Sequence, residues 1–156
     1  MLSVGVIPCY RNPEKAIDVV KECFKYLDLI ICVDDCCPLN TGKEIKKYID
    51  NENLYILYHK SNMGVGGAMK TGINFALDLG AEIIVKIDSD GQMPAELIPD
   101  LIRPLQLGRA EFTKGNRFRS ASVIFKMPTI RLVGNFFLSF LTKMSTGYWE
   151  LFDPTN

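Results

Sequence analysis

The sequence predicts an α/β fold in which a mostly parallel sheet is covered by helices on both faces. Short β-branched runs alternate with stretches whose apolar residues recur at helical spacing, and this alternation is typical of parallel sheets. The second predicted strand, 29–33, is apolar at nearly every position, which indicates burial on both sides. With 156 residues, 47% of them hydrophobic, the chain can bury a sizeable core in one domain.

Local signals place each element in chain order. Pro13 opens the first helix, where its missing N–H costs nothing, and apolar residues from Ala16 to Leu27 form one buried face. Further helices are predicted at 41–48, from the glycine-rich loop 61–67 through Leu79, and at 94–107. The predicted strands are 4–8, 29–33, 54–58, 83–87 and 111–115.

Two aspartates separated by one residue follow the fourth predicted strand, in Asp88-Ser89-Asp90-Gly91-Gln92. Side chains one residue apart in extended backbone point the same way, so Asp88 and Asp90 can face one cation. Hard cations such as Mg²⁺ and Mn²⁺ take oxygen ligands and usually share them with a substrate phosphate. Gln92 can add a further oxygen. The alternative is that the aspartates only cap the turn before the helix at Pro94.

The glycine-rich segment around Gly64 matches two nucleotide-binding motifs only in part. A dinucleotide fingerprint needs a third glycine where Met69 stands, and a phosphate loop needs Gly-Lys-Ser/Thr, whereas Lys70 follows a methionine. Both motifs are therefore excluded. We expect Gly64 and its neighbours to let the loop and the following helix pack closely on the sheet, with direct ligand contact as the alternative.

Charge and cysteine content narrow the classes of partner. The formal net charge is zero, but residues from Arg103 onward contain eight Lys or Arg and three Asp or Glu, so this part carries +5 and the preceding part −5. The acidic part can hold a metal ion and the basic part can meet phosphates. Five cysteines and one histidine, without a C-x-x-C pair, favour free thiols over a zinc site or a disulfide framework. We expect no signal peptide before the first strand.

Six segments, in order along the chain, resemble the motifs of one enzyme family. They are Val6–Tyr10, Val33–Asp35 with Pro38 and Thr41, Asn62–Ala68 with Gly72, Asp88–Gln92 with Pro94 and Glu96, Lys114–Phe118, and Asp153–Asn156. On these segments the chain resembles the catalytic domain of a family-two glycosyltransferase, and within that family the dolichyl- or polyprenyl-phosphate sugar (mannose or glucose) synthases. The resemblance implies the Rossmann-like GT-A fold over a single domain, residues 1–156.

The resemblance also implies where a nucleotide sugar binds. The first segment and its tyrosine flank the nucleotide base, and Asp34 or Asp35 accepts a hydrogen bond from the base; capping of the next helix by Asp35 is the alternative. The implied nucleotide-sugar site comprises Pro8, Tyr10, Asn12, Val33, Asp34, Asp35, Gly64, Lys70, Asp88, Ser89, Asp90, Gln92 and Arg117.

The implied cofactor is Mn²⁺ or Mg²⁺ on Asp88, Asp90 and Gln92, and Arg117 approaches the diphosphate. Asp90 and Asp153 are the implied catalytic residues, with Asp153 orienting or deprotonating the acceptor. The implied reaction is an inverting transfer of sugar from a UDP- or GDP-sugar to a polyprenyl phosphate or a glycan. A polyprenyl phosphate is already anionic and needs no strong base, whereas a sugar hydroxyl requires one.

The chain departs from the family pattern at three places. Arg11-Asn12 stands where the family usually has Asn-Glu, and Cys36-Cys37 stands where it has Gly-Ser. The chain stops at Asn156, inside the last motif, so we expect a catalytic domain truncated at its C-terminus. The alternatives to a complete transferase are a non-catalytic nucleotide-binding module and a glycosyltransferase acting on a cell-surface polysaccharide.

Residues 130–144 form a second apolar stretch at helical spacing, with basic residues nearby. Such a helix can lie in a membrane interface, but it is shorter than the roughly 20 apolar residues of a membrane span. The alternative is an ordinary helix packed on the sheet. We expect a protein of the cytoplasm, at the cytoplasmic face of the membrane, with no nucleic-acid partner.

Overall fold

The structure, a computed structural model, describes residues 1–115 and Met144. The chain divides into two compact units, Met1–Thr113 and Lys114–Asn156, and the elements belong to the first unit. The strands are β1 (Ser3–Cys9), β2 (Leu29–Asp34), β3 (Leu54–Tyr58) and β4 (Ile83–Lys86). The helices are α1 (Pro13–Cys23), α2 (Thr41–Tyr48), α3 (Gly64–Asp78) and α4 (Ile98–Gln106), the last preceded by a 3₁₀ turn, Ala95–Leu97. A single domain over residues 1–156 stays a prediction.

The four strands of the described part of the chain are parallel and lie in the order β3-β2-β1-β4. The central strand β1 pairs Val4–Cys9 with Leu29–Asp34 on one side and Ser3–Val6 with Ile83–Lys86 on the other. The chain therefore moves away from β1 through β2 and β3, then returns to the other side of β1 with β4. In sheets of this kind a crevice opens at the carboxyl ends of the two strands between which the order reverses, here β1 and β4.

Helices cover both faces of the sheet, as predicted. Alternate residues of a strand point to opposite faces. One face packs against α1, α2 and α4 and includes Ile7, Cys9, Ile30 and Cys32 of the two central strands. The other face packs against α3 and includes Val4, Val6, Leu29, Ile31 and Val33. Because a fully buried Val or Ile contributes about 1.5–3 kcal/mol, both layers stabilise the sheet.

The close packing of α3 on β1 depends on Gly72, and Gly67 allows the start of the helix to lie against Met63. A Cβ atom at Gly72 would collide with Cγ1 of Val6, so only glycine lets the helix approach β1 this closely. A Cβ atom at Gly64 or Gly66 would meet nothing within 4 Å. The expected packing role of the Gly64 segment is therefore wrong for Gly64 and Gly66, which lie exposed at the carboxyl edge of the sheet.

The end of the first helix and the fifth strand differ from the prediction. Helix α1 ends at Cys23, and the chain turns so that Leu27 is buried outside the helix. The predicted fifth strand at 111–115 is wrong, because these residues form no strand; Thr113 Oγ1 instead donates a hydrogen bond to the carbonyl of Leu101 in α4, at 2.9 Å.

The five cysteines are free thiols, and Cys9, Cys23 and Cys32 are buried on the face covered by α1, α2 and α4. Burial, reinforced by the charge of Glu22, raises the pKa of the Cys23 thiol to about 11. A neutral thiol of this kind packs as a small apolar side chain. These three cysteines are therefore part of the core.

Within residues 1–115, no helix combines the length and the apolar character that crossing a bilayer requires. The predicted apolar helix at 130–144 lies outside the described residues, apart from Met144.

Candidate functional site

Four segments that follow the four strands meet at the carboxyl edge of the sheet. They are Tyr10–Asn12 after β1, Asp35–Asn40 after β2, His59–Met63 after β3 and Ile87–Gln92 after β4. Parallel strands end at the same edge, so topology brings these segments together from positions up to 80 residues apart. Most of the predicted site residues lie in or beside these segments.

Asp34 is a buried carboxylate whose two oxygens both accept backbone N–H groups. Oδ1 accepts the amide of Cys37 at 2.7 Å, and Oδ2 accepts the amide of Gly42, in the first turn of α2, at 2.7 Å. The first amides of a helix have no partner within the helix, so an aspartate that accepts one of them stabilises the helix start. The helix-start role that the sequence suggested for Asp35 therefore belongs to Asp34.

Asp35 is also buried, but its partners lie on other elements. Its Oδ1 lies 2.7 Å from Nδ1 of His59 and accepts the backbone N–H of Met63 at 2.8 Å. Burial by itself raises the pKa of Asp35, but the hydrogen bonds from Met63, His59 and Gly64 and the proximity of His59 outweigh burial and lower the pKa below its ordinary value. Asp35 is therefore a carboxylate held in its charged form at the start of α3.

The segment after β1 carries an exposed aromatic ring beside a strained backbone. Tyr10 is 39% exposed, and the guanidinium of Arg11 lies 5.1 Å from the centre of its ring. Arg11 has φ +61°, a left-handed conformation that is uncommon for residues other than glycine. Asn12 occupies the N-cap position of α1 without a side-chain capping bond. The exposed Tyr10 ring provides a flat surface on which a base can stack.

The two internal departures from the family pattern contact each other. The backbone N–H of Arg11 donates to Sγ of Cys37 at 3.0 Å, and Cys37 Sγ lies 3.1 Å from Oγ1 of Thr41. Burial raises the pKa of the Cys37 thiol, but the hydrogen bonds from Thr41 and Arg11 outweigh burial and lower it. The segments after β1 and β2 are thus joined through a sulfur atom, a link that spacing along the chain gave no means to predict.

The aspartates after β4 are more open. Asp88 Oδ1 forms an ion pair with Nζ of Lys86 at 2.9 Å, and the two side chains are 34% and 43% exposed. Asp90 Oδ1 accepts the backbone N–H of Gln92 at 3.0 Å, as in a turn that an aspartate caps. The capping alternative is therefore seen for Asp90. Among the described residues, Oδ2 of each aspartate has no hydrogen-bond partner.

Asp88 and Asp90 would hold a divalent cation only together with a substrate, and Ser89 and Asp90 lie in a turn instead of the extended backbone that the sequence predicted. Within residues 1–115 no group of three or more His, Cys, Asp or Glu side chains is close enough to hold a metal ion. Mg²⁺ and Mn²⁺ sites commonly use one or two carboxylates together with phosphate and water oxygens. The chemistry of Asp88 and Asp90, with Gln92 as a neutral oxygen donor, therefore suits a metal–diphosphate complex better than a metal ion alone.

The remaining predicted residues divide into three groups. Pro8 and Val33 are buried neighbours in the β1–β2 pair, so their side chains belong to the sheet and only their backbone lies near its edge. Ser89 is buried in the turn after β4, and Lys70 is exposed on α3. Arg117 and Asp153 lie outside the described residues, and their roles stay predictions.

Sequence reasoning missed two residues that contact predicted site residues, and a third that contacts one of these two. His59 contacts Asp35, Thr71 contacts His59 at 2.9 Å, and Lys86 pairs with Asp88. The alternation of side chains along a strand could have indicated Lys86, because residues two apart share a face. The contact between His59 and Thr71 joins residues of different elements, and no spacing rule connects them.

Comparisons with known proteins agree on one family. The family model for glycosyl transferase family 2 matches residues 5–155. UDP-N-acetylglucosamine–dolichyl-phosphate N-acetylglucosaminyltransferase of Methanococcus voltae is 33% identical over 92% of this chain and 63% of its own length. The uncharacterized protein MJ1222 of Methanocaldococcus jannaschii is 32% identical over 92% of this chain and 58% of its own length.

A bacterial relative is more distant. Undecaprenyl-phosphate mannosyltransferase of Micrococcus luteus is 25% identical over 84% of this chain and 54% of its own length. The chain therefore spans only 54% to 63% of the lengths of these three relatives.

Proposed function

The chain belongs to glycosyl transferase family 2 and has the GT-A type of fold, and from this premise we propose that it transfers a sugar from a nucleotide diphosphate sugar to a polyprenyl phosphate. The observation that carries the proposal is the pair of partly exposed carboxylates, Asp88 and Asp90, that follow β4 where the strand order reverses between β1 and β4. A diphosphate entering this crevice meets those oxygens, which suit a metal shared with phosphate.

The nucleotide end of the donor lies toward β2 in this proposal. The exposed ring of Tyr10 stacks on the base, and Asp35 accepts a hydrogen bond from it. Asp35 is the better acceptor of the two aspartates, since both oxygens of Asp34 accept amides of this chain. Asp35 is charged and held in place by its neighbours, so it loses little conformational freedom on binding.

The chemical step is displacement at the anomeric carbon. The acceptor oxygen attacks from the face opposite the leaving group, the bond to the diphosphate breaks with its electron pair on the β-phosphate oxygen, and the configuration inverts. A divalent cation on Asp88, Asp90 and Gln92 supplies charge that neutralises the departing diphosphate, commonly worth several kcal/mol. Lys86, which pairs with Asp88, brings a further positive charge to the departing diphosphate.

The names of two relatives support this class of acceptor. The archaeal relative is named for transfer to dolichyl phosphate and the bacterial one for undecaprenyl phosphate, although the sugars differ. A polyprenyl phosphate is already anionic, so the step needs no strong base. Since this lipid resides in a membrane, we place the domain at a membrane surface, on the cytoplasmic face.

Metal-dependent donor binding tests the first half of the proposal. The thermal midpoint of unfolding is measured with UDP- and GDP-sugars, each with and without Mn²⁺. Saturation at about 100 times the dissociation constant stabilises a protein by about 2.7 kcal/mol, which is readily measured. We expect one nucleotide to stabilise the chain in the presence of Mn²⁺ only. Stabilisation by none of them contradicts the proposal.

Transfer of labelled sugar into an organic-soluble product tests the acceptor. Polyprenyl phosphate is compared with the matched polyprenol, which has the same chain but no phosphate. We expect labelled product with polyprenyl phosphate and none with polyprenol. Donor binding without transfer to either lipid, or to added glycans, would instead indicate a nucleotide-binding module. Transfer to a polysaccharide alone would reassign the acceptor.

A further inference from the structure

Three side chains at the carboxyl edge form a hydrogen-bonded chain across three elements. Asp35 follows β2, His59 follows β3, and Thr71 lies two turns into α3. Nδ1 of His59 is 2.7 Å from Asp35 Oδ1, and Nε2 is 2.9 Å from Thr71 Oγ1. The side chains of His59 and Asp35 are 8% and 5% exposed. The imidazole is therefore fixed at both nitrogens in a nearly dry environment.

The partners of His59 determine which nitrogen carries the proton. A charged carboxylate only accepts hydrogen bonds, so Nδ1–H donates to Asp35. Nε2 then accepts from the Thr71 hydroxyl when the imidazole is neutral, and donates to the same oxygen when it is protonated. The bond from His59 to Asp35 is consequently made in both protonation states.

The same carboxylate oxygen also holds the start of α3. Asp35 Oδ1 accepts the backbone N–H of Met63, the residue that precedes the helix, at 2.8 Å. The β3–α3 connection, 60–62, is exposed and is held by His59 at its beginning and by Met63 at its end. Removing the imidazole would free Asp35 to rotate and would loosen the Met63 contact.

We infer that His59 is a positioning residue for donor binding: it fixes the Asp35 carboxylate, and through it the start of α3, in the orientation that the nucleotide requires. This inference rests on the proposed function, in which Asp35 contacts the base. Asp35 has two oxygens, and with His59 and Met63 sharing Oδ1, a fixed carboxylate presents Oδ2 in one direction.

Isosteric substitutions separate positioning from general stabilisation. In His59→Asn the amide nitrogen replaces Nδ1 and still donates to Asp35, whereas in His59→Gln it replaces Nε2 and reaches Thr71 only. Thr71→Val removes the outer hydrogen bond and leaves the inner one. The matched control is Ser3→Ala, which removes a buried hydroxyl that donates to Asp28 at 2.7 Å, at the opposite edge of the sheet.

The measurement is the dissociation constant of UDP and of GDP, each with Mn²⁺, by calorimetry on the full chain. Loss of a hydrogen bond to a charged group corresponds to about a tenfold change, so we expect at least that loss for His59→Gln. We expect a change of less than about threefold for His59→Asn, Thr71→Val and Ser3→Ala. Equal affinity of His59→Gln and wild type, or equal loss in His59→Asn and His59→Gln, would overturn the inference.

Amide hydrogen exchange of the wild-type chain gives a second measurement that needs no variant and no nucleotide. We expect the Met63 amide to exchange more slowly than those of Lys60 and Ser61 in the same exposed connection. Equally fast exchange would contradict the holding of Met63 by Asp35. Slow exchange together with no binding of either nucleotide would count against the proposed function while leaving the His59–Asp35–Met63 link intact.

Discussion

The carboxyl ends of β2 and β4 each carry two aspartates, in opposite environments. Asp34 and Asp35 are each 3% exposed, and the donors to their oxygens include the backbone amides of Cys37, Gly42 and Met63 and the imidazole of His59. Asp88 and Asp90 are partly exposed, and their partners in the described residues are one lysine side chain and one amide. The same residue type thus differs in burial and in hydrogen-bond partners at the two strand ends.

The difference lies in how far hydrogen bonds within the protein satisfy each carboxylate. A buried carboxylate is stable only when its lone pairs are satisfied by the protein, and it then contributes to folding. A carboxylate with an unpaired, solvent-facing oxygen contributes little to folding and is available to a ligand. Asp35 is buried and charged like Asp34, but its partners His59 and Met63 lie on the segment that follows β3.

The largest expected effect on stability comes from Asp34. Asp34→Ala leaves the amides of Cys37 and Gly42 without their acceptor, and each unsatisfied buried amide costs about 1–3 kcal/mol. We expect the free energy of unfolding in urea to fall by about 2–6 kcal/mol in total. Asp34→Asn is the control, since it keeps one acceptor oxygen and should lose less. A loss below about 1 kcal/mol for Asp34→Ala would show that these amides find other partners.

The next effect separates ligand binding from stability. Asp90→Ala removes a carboxylate of the proposed metal site and one turn hydrogen bond, which is worth about 0.5–1.5 kcal/mol. We expect its Mn²⁺-dependent stabilisation by nucleotide to disappear while the free energy of unfolding without ligand changes only by that amount. The matched control is Asp50→Ala, in an exposed loop at the opposite edge of the sheet. Retention of the Mn²⁺ response in Asp90→Ala would remove Asp90 from the metal site.

Acid should weaken the fold partly through Asp35. Its pKa is lowered in the folded state, so its contribution to stability is present above the ordinary carboxyl pKa of about 4 and is lost as pH falls through the lower folded value. We expect the urea unfolding free energy of wild type to decrease over this acid range, and Asp35→Asn to decrease less. If the free energies of unfolding of the two proteins fell in parallel with pH, Asp35 would not be a source of the acid sensitivity.

The smallest effect concerns Lys86. Its ion pair with Asp88 is partly exposed, and such pairs are worth about 0.2–1 kcal/mol, or up to about fivefold in affinity. Because Mn²⁺ must share Asp88 with this ammonium group, Lys86→Met should increase the affinity for Mn²⁺ alone by up to that factor, measured by calorimetry. Lys60→Met, which changes an exposed lysine after β3, is the control. Weaker Mn²⁺ binding in Lys86→Met would show that the lysine supports the site.

Much of the fold was predictable because its signals are local. The apolar runs at 4–8, 29–33 and 54–58 lie within strands of the structure, and the breaks at Pro13 and Thr41 coincide with helix starts. The prediction of a fifth strand was wrong because a strand forms only beside a partner strand. Residues Glu111–Gly115 instead contact α4 through the side chain of Thr113. The role of the Gly64 segment also failed, since close packing depends on what faces each glycine, and only Gly72 faces Val6.

The sequence by itself determined the fold class, the family and the aspartates that end β2 and β4, because periodicity and motif spacing are properties of neighbouring residues. Only the tertiary structure decided which groups each aspartate contacts. It brought Cys37 and Gly42 to Asp34 and His59 and Met63 to Asp35, and within residues 1–115 it gave Asp88 and Asp90 one partner each, Lys86 and Gln92. The physical reason is that a carboxylate's role depends on its burial and on which donors surround it, and parallel strands bring those donors from distant parts of the chain.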